Sequence, residues 1–109
     1  ALGGGVTRDM AGLAAALYLR GVKYVQLPTT LLSAVDSSVG GKTAIDLKAG
    51  KNLAWAFLQP SAVICDTDCL KTLPQDVFAD GAAEALKTGV LCSEALFARM
   101  EFGLRVSEL

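Results

Sequence analysis

The sequence contains no histidine among its 109 residues. A serine or cysteine nucleophile paired with histidine is therefore excluded within this chain, and any metal site here depends on carboxylate ligands. Aromatic residues make up only 6% of the sequence. The three cysteines, Cys65, Cys69 and Cys92, include no Cys-x-x-Cys pair. That odd set argues against a disulfide framework and a zinc ribbon, and it predicts reduced, packed thiols.

Long apolar runs and clustered positive charge are also missing. The apolar stretch from Leu13 to Leu19 ends at Arg20, well short of the roughly 20 residues that a bilayer span requires. The formal net charge is −1, with lysine and arginine dispersed along the chain, which argues against a nucleic-acid partner. We therefore expect a soluble, cytoplasmic protein that binds neither membrane nor nucleic acid.

The composition is that of a globular interior, with 52% hydrophobic residues. Alanine, leucine, valine and glycine dominate, as in proteins whose helices pack closely on a parallel sheet.

The chain begins without Met, directly before three glycines that follow a strand, and it stops inside the helical pattern from Glu94 to Leu109. We expect a piece of a longer protein.

The residue pattern predicts alternating strands and helices in the first two thirds of the chain. A turn at 3–5 precedes a helix over 6–20 that Gly21 ends, and a strand over 23–27 is closed by Pro28. A helical turn over 29–35 and a loop or irregular hairpin over 37–52 follow.

The remaining pattern becomes helical. A buried strand is predicted over 62–65, a short helical turn over 66–73, and a helix to about Leu91 with Pro74 at its first position. Ser93 then caps an amphipathic helix. The order predicts an α/β fold in which a doubly wound sheet passes into an all-helical region near Pro74.

Three segments carry chemistry, each with a plainer alternative. The glycines before Val6 let backbone amides approach a pyrophosphate, although a glycine turn is as often a packing device, and the helix dipole alone favours Asp9. Cations and an amide in the glycine-rich segment suit an anionic substrate, or form a solvated loop. They are Lys42, Lys48, Lys51 and Asn52, with Asp36 upstream.

Glu84 and Lys87 stand three residues apart among small residues. They form either an exposed ion pair or a pair turned toward a cleft, where a carboxylate can bind a metal.

The order and spacing of eight strings resemble the 3-dehydroquinate synthase family nearly from end to end, weakening after Cys92. The strings are ALGGGVxxD at 1–9, RGV at 20–22, PTTLL at 28–32, DSSVGGKT at 36–43, GKN at 50–52, QP at 59–60, LKTLP at 70–74 and AExxK at 83–87. The resemblance implies the C-terminal part of a Rossmann-like NAD-binding domain over 1–73. It further implies the start of an all-helical metal- and substrate-binding domain over 74–109.

The resemblance also implies the residues of each site. NAD would contact Gly4, Gly5, Val6, Thr7, Arg8, Asp9, Thr29, Thr30, Lys42, Lys51, Cys69, Leu70, Lys71 and Thr72. Glu84 would bind zinc or cobalt. The catalytic and substrate-binding residues would be Asp36, Lys42, Asn52 and Lys87, with Arg20 reaching the phosphate in the same or a neighbouring subunit of a homodimer.

The implied reaction converts 3-deoxy-D-arabino-heptulosonate 7-phosphate to 3-dehydroquinate and phosphate in the shikimate pathway. NAD transiently oxidises one carbinol, phosphate leaves, hydride returns, and an aldol step closes the ring. The metal polarises the oxygen being oxidised, and cations neutralise the departing phosphate.

Two departures from the family stand out. Arg8 replaces a small residue, usually glycine, and the two histidines that complete the family's metal site are missing. The chain alone is therefore expected neither to hold the metal tightly nor to turn over. The alternatives are a related cyclase of the 2-deoxy-scyllo-inosose or valiolone type, a metal-dependent polyol dehydrogenase, and a non-catalytic nucleotide-binding module.

Overall fold

The computed structural model describes residues 1–103 and shows a mixed α/β fold. The strands are β1 (Leu2–Gly3), β2 (Val25–Pro28), β3 (Lys42–Leu47), β4 (Gly50–Phe57) and β5 (Ala62–Val63). The helices are α1 (Gly5–Leu17), α2 (Gln75–Cys92) and α3 (Glu94–Glu101). Three short helical turns connect them, over Tyr18–Arg20, Ser33–Ser37 and Thr67–Thr72. Among the described residues, no helix is both long and apolar enough to cross a membrane.

Three strands form a parallel sheet in the order β1-β2-β5. Leu27 N–H donates to the Ala1 carbonyl at 2.7 Å, and Ile64 N–H donates to the Gln26 carbonyl at 2.9 Å. Because parallel strands end at the same edge of a sheet, the segments that follow β1, β2 and β5 share one edge. Ligands of open α/β sheets bind at this edge.

Helix α1 is confirmed, but it ends three residues before the predicted stop. Leu19 and Arg20 have φ angles of 46° and 67°, which lie outside the right-handed helical region. The chain therefore leaves the helix in a tight turn before Gly21, whose φ is 103°.

The segment predicted as a loop or irregular hairpin is an antiparallel hairpin that extends to Phe57. Its register pairs Lys42 with Phe57 and Ala44 with Trp55, and a β-bulge lies between Ile45 and Leu47. Thr43 is fully buried and faces α1, where a side chain on Gly12 would meet its methyl group at 2.3 Å. Helix α1 and the hairpin therefore pack in direct contact.

The predicted buried strand over 62–65 is wrong in length and in burial. Only Ala62 and Val63 pair with β2, and the whole run to Cys65 is exposed. The reason is that β5 is an edge strand of the described sheet. All three cysteines are free, but only Cys69 is partly buried, so the prediction of packed thiols is wrong for Cys65 and Cys92.

The helical end of the chain follows the predicted order. Pro74 lies one residue before α2, as its cap, and not at the first helical position. Ser93 caps α3 as predicted, because its hydroxyl accepts from Leu96 N–H at 3.3 Å. Helix α2 contacts the rest of the fold at Gly81, where an added side chain would meet the Leu32 nitrogen at 2.4 Å. The predicted helical pattern over 104–109 lies outside the described residues.

Candidate active site

The glycine turn and the end of β2 lie together at the carboxyl edge of the sheet. Thr29 N–H donates to the Gly3 carbonyl at 3.0 Å. A side chain on Gly4 would stand 3.2 Å from the Thr30 methyl group, and one on Gly5 would stand 3.3 Å from the Ser37 hydroxyl. Two of the segments predicted to contact a dinucleotide are therefore neighbours in space.

The start of α1 presents backbone amides without a side-chain cap. Gly4 precedes the helix and has no capping side chain, and no acidic residue lies in the first turn. Gly3 has a φ of 152°, a conformation that favours glycine. Val6 and Thr7 in this first turn are exposed. Uncapped amides at the positive end of a 13-residue helix are suitable donors for an anion such as a pyrophosphate.

Arg8 is the most deeply buried charged residue at this site, with 8% of its surface exposed. Its guanidinium donates to the Lys42 carbonyl of β3 and pairs with the Asp9 carboxylate at 2.8 Å. The Arg8 Nε atom is buried and has no hydrogen-bond partner within the described part of the chain. Arg8 therefore joins α1 to the hairpin and keeps one donor unused.

Asp9 titrates in an environment of opposing influences. Burial is the largest of them and raises the pKa of this carboxyl above its ordinary value of 3.8. The Arg8 charge and the Ala44 backbone N–H oppose that increase, while the charge of Asp36 adds to it. The charge of Asp36 is therefore close enough to affect Asp9.

A cavity of about 480 Å³ brings the candidate substrate residues together. Its lining combines two cations, two carboxylates, two other polar side chains and two apolar side chains: Arg8, Asp9, Asp36, Ser37, Lys42, Ala44, Asn52 and Trp55. An adjoining cavity of about 420 Å³ shares Asp9, Ala44 and Asn52 with it and adds Lys51. Three residues that are far apart in the sequence, Asp36, Lys42 and Asn52, thus converge on one space.

The far end of the hairpin holds Asn52 in place. Its φ is 54°, and its backbone N–H donates to the Asp46 carboxylate at 2.9 Å. Asparagine tolerates this left-handed conformation better than most residues. The bulge at Asp46 and the turn at Asn52 therefore depend on each other.

Glu84 and Lys87 form an ion pair on α2, with 34% and 57% of their side chains exposed. Neither residue lines the two cavities described above. The hydrogen bond to Glu84 is the main cause that raises the pKa of Lys87, and the Asp36 charge makes a smaller contribution. The pair lies on a helix that packs against the Ser33–Ser37 turn containing Asp36.

Some predicted site residues lie apart from the cavities. Arg20 is exposed in the turn after α1. Of the turn after β5, Leu70 belongs to the core with 3% exposure, and Lys71 pairs with Asp68 at 2.6 Å. That hydrogen bond is the main cause that raises the pKa of Lys71. Cys69 is half-buried and Thr72 is exposed, and neither lines a cavity described here.

The lining residues that were not singled out from the sequence are Met10, Ser37, Ala44, Ile45, Asp46 and Trp55. Ser37 lies inside the DSSVGGKT string, which could have drawn attention to it. The alternation of Trp55 and Phe57 with two alanines is the pattern of a strand with two unlike faces. The positions of Trp55 and Phe57 relative to β3 follow only from the hairpin register.

Metal-binding groups are sparse in the structure. Within residues 1–103, no three cysteine, aspartate or glutamate side chains are grouped closely enough to hold a metal ion. Glu84 is the carboxylate that the resemblance selects, and it is partly exposed and singly paired. This chain thus offers one oxygen ligand at that position.

Comparison with known proteins agrees with the resemblance. The model of the 3-dehydroquinate synthase N-terminal family matches residues 1–80. A 3-dehydroquinate synthase of Vibrio atlanticus (strain LGP32) is 56% identical over 104 residues, which cover 95% of this chain and 29% of that protein.

Two solved structures are also similar. The 2-epi-5-epi-valiolone synthase of Streptomyces hygroscopicus subsp. jinggangensis, solved with NAD+ and Zn2+ bound, has 37% identity and a TM-score of 0.87 over 94% of this chain and 28% of its own. A 2-deoxy-scyllo-inosose synthase complexed with carbaglucose-6-phosphate, NAD+ and Co2+ has 39% identity and a TM-score of 0.78 over 81% of this chain and 24% of its own.

The fold is the one found in the two sugar-phosphate cyclases described above. The chain belongs to the 3-dehydroquinate synthase family. It spans under a third of the length of the relatives it matches.

Proposed function

We propose that the chain is part of a longer enzyme with 3-dehydroquinate synthase activity. This enzyme would be a carbon–oxygen lyase that converts 3-deoxy-D-arabino-heptulosonate 7-phosphate to 3-dehydroquinate and phosphate. The observation that carries the proposal is the convergence of Asp36, Lys42 and Asn52 on one cavity beside the glycine turn. The 56% identity to a protein of that name supports this substrate over those of other cyclases.

The donor set at the start of α1 fits a dinucleotide. Backbone amides of the uncapped first turn would bind the pyrophosphate, and the unused Arg8 Nε would donate one further hydrogen bond. The cofactor contacts would come from Gly4 to Asp9, Thr29, Thr30, Lys42 and Lys51, with Cys69 to Thr72 at the same sheet edge. Bound NAD would supply reversible hydride acceptance at the carbinol.

The side chains around the cavity have separate roles in this proposal. Lys42 would hold the phosphate and favour its departure, because a cation stabilises the negative charge that develops on the leaving group. Asp36 and Asn52 would orient the hydroxyl groups through hydrogen bonds. Lys87 would act beside them once released from Glu84, and Arg20 would approach the phosphate from a neighbouring subunit.

Glu84 would serve as one ligand of a zinc or cobalt ion. A carboxylate oxygen is a suitable ligand for either metal, but this chain has no histidine, so the remaining ligands would come from the rest of the longer enzyme. The metal, when bound, would polarise the oxygen of the carbinol. Glu84 pairs with Lys87 through Oε2, and an exchange of this partner for the metal would free that ammonium for the substrate.

The surrounding organisation follows the same proposal. Residues 1–73 would be the end of an NAD-binding domain, and 74–109 the beginning of a helical metal- and substrate-binding domain. We propose a cytoplasmic homodimer that binds neither membrane nor nucleic acid. Dispersed charge supports the latter point, since the formal net charge is −1 without a basic stripe.

The test is a phosphate-release assay on the full-length enzyme. We expect release from 3-deoxy-D-arabino-heptulosonate 7-phosphate that requires catalytic NAD and stops when a chelator removes the metal. Glucose 6-phosphate is the matched competitor, because its carba analogue occupies the related inosose synthase. Release from glucose 6-phosphate alone would assign the enzyme to that second cyclase type, and release from neither would reject the proposal.

A further inference from the structure

Trp55 has no role in the core of the described structure. It is the single tryptophan of the chain, and 66% of its surface is exposed. Its neighbours along β4, Ala54 and Ala56, are the residues whose side chains turn inward and are half-buried. A large aromatic side chain that is left this exposed gains little from burial. Exposure alone does not distinguish Trp55 from Phe57, which is 64% exposed on the same strand, but Trp55 also lines a cavity.

The indole of Trp55 lines the same cavity as Lys42, Asp36 and Asn52. The hairpin register explains why. Lys42 pairs with Phe57 and Ala44 pairs with Trp55, so Lys42 and Trp55 are diagonal neighbours across the two strands. Side chains two residues apart on a strand share a face, and diagonal pairs lie within reach of long or aromatic side chains.

The lining of the cavity combines charged side chains with one aromatic side chain, that of Trp55. Four of the eight lining residues carry charge, and Ala44 is the only other apolar one. Binding sites for small molecules combine a few polar groups that set orientation with apolar or aromatic surface that covers the ligand. Trp55 is the aromatic residue of this lining.

We propose that Trp55 is a substrate-binding residue whose indole face covers the C–H face of the sugar-acid carbon chain. Lys42, Asp36 and Asn52 would bind the phosphate and hydroxyl groups of the same molecule. The inference rests on the proposed function, because it takes a phosphorylated sugar acid as the occupant of the cavity. It adds an apolar specificity contact that none of the family strings contains.

The expected signature is a loss of substrate affinity without a loss of turnover. A wall that contacts unreactive carbons binds the ground state and the transition state alike, so its removal raises KM and leaves kcat nearly unchanged. We expect Trp55→Ala to raise KM about tenfold and Trp55→Phe, which keeps an aromatic face, to restore most of the affinity. The affinity for NAD should not change.

Inorganic phosphate separates a direct contact from a distorted site. It can occupy the Lys42 end of the cavity but has no carbon chain, so its inhibition constant should be the same in wild type and in Trp55→Ala. Phe57→Ala is the matched control, because Phe57 is 64% exposed on the same face of β4 and lies outside the cavity lining. Its KM should match that of the wild type.

Calorimetric titrations of the metal-loaded, full-length enzyme with the sugar-acid phosphate, inorganic phosphate and NAD test the inference independently of turnover. We expect Trp55→Ala to bind the sugar-acid phosphate more weakly and to bind inorganic phosphate and NAD normally. Phe57→Ala should bind all three ligands as the wild type does. Unchanged binding in Trp55→Ala would overturn the inference, as would parallel losses for phosphate or a loss for NAD. Normal binding by a wild type that releases no phosphate would reject the proposed function and leave the role of Trp55 standing.

Discussion

The two ends of the described chain present their candidate residues in different ways. Over 1–57, groups that are distant in sequence are joined by direct contacts, such as the bond from Arg8 to the Lys42 carbonyl 34 residues away. Over 75–101, Glu84 and Lys87 are neighbours through helical spacing alone, and only the glycines Gly81 and Gly89 are buried in α2. The first region assembles its site from its own tertiary contacts.

This difference separates structural roles from functional ones. Around the cavity, a side chain such as Arg8 is packed between elements and also lines the cavity, so its replacement should affect stability as well as activity. On α2 the Glu84–Lys87 pair is exposed and stabilises the fold little. Loss of this pair should therefore affect function only.

The largest expected effect is on metal binding by Glu84. Glu84→Gln keeps the shape of the side chain and removes its charge, so the full-length enzyme should lose most of its bound metal and nearly all of its activity. Its melting temperature in the absence of metal should equal that of the metal-free wild type, because bound metal itself stabilises the folded state. Asp80→Asn is the control, because Asp80 is exposed one turn earlier on the same face of α2. Elemental analysis of the bound metal tests whether Glu84 is a metal ligand. Retained metal in Glu84→Gln would mean that Glu84 only forms an ion pair with Lys87.

The next effect tests whether the cavity lysine differs from its neighbour in the same hairpin. Lys42→Met should lower kcat/KM by about 10²-fold, equivalent to about 2.7 kcal/mol, with a fall in kcat. Lys48→Met should cost little, because Lys48 is exposed in the turn and lines neither cavity. Steady-state kinetics with parallel melting curves provide the measurement. Small, equal losses of kcat/KM in the two variants would mean that the lysines of residues 36–52 are solvated and have no role in the reaction.

A third variant changes the contact between α2 and the first region of the chain. Gly81→Ala adds a side chain that would stand 2.4 Å from the Leu32 nitrogen, so α2 must shift away from the Leu31–Leu32 backbone. We expect the free energy of unfolding to fall by about 2 kcal/mol. Gly40→Ala is the matched control, because nothing lies within 4 Å of the added carbon. The measurement is denaturant unfolding of both variants. Equal stabilities would contradict the close packing of α2 against the Leu31–Leu32 backbone.

The smallest effect is the pH dependence that Asp9 contributes. Its pKa is raised above 3.8, chiefly by burial, so the folded state binds this proton more tightly than the unfolded state does. The resulting stabilisation is complete below about the ordinary pKa and is lost as the pH rises through the raised value. Arg8→Gln should raise the Asp9 pKa further, because the Arg8 charge lowers it.

Carbon-13 NMR of the Asp9 carboxyl in both proteins measures this shift. Asp9→Asn should remove that part of the pH dependence from denaturant unfolding curves recorded between about pH 4 and pH 7. A lower Asp9 pKa in Arg8→Gln would show that the two side chains do not pair in solution.

The order of strands and helices could be predicted because hydrophobic period and glycine or proline positions are local signals. Asp36, Lys42 and Asn52 were predicted through the family resemblance, since no single motif distinguished Lys42 from Lys48. The register that brings Trp55 beside Lys42 could not be predicted. It depends on the bulge near Asp46 and on the positive φ of Asn52, which a hydrogen bond from Asn52 N–H to the Asp46 carboxylate connects.

Two other failures have the same physical origin. The early end of α1 reflects positive φ angles at Leu19 and Arg20 that no propensity favours. The exposure of the run from Ala62 to Cys65 reflects its position at the edge of the described sheet, whereas its composition resembles that of a central strand. Both outcomes depend on how the elements pack, which periodicity does not encode.

The most direct test of the site is a crystal structure of the full-length, metal-loaded enzyme with NAD and a non-reacting analogue of the sugar-acid phosphate. We predict that the pyrophosphate contacts the first amides of α1 and that the Lys42 Nζ atom lies about 3 Å from an oxygen of the analogue. Asp36 and Asn52 should contact the same molecule. An analogue bound elsewhere, with Lys42 in solvent, would contradict the assignment of this cavity.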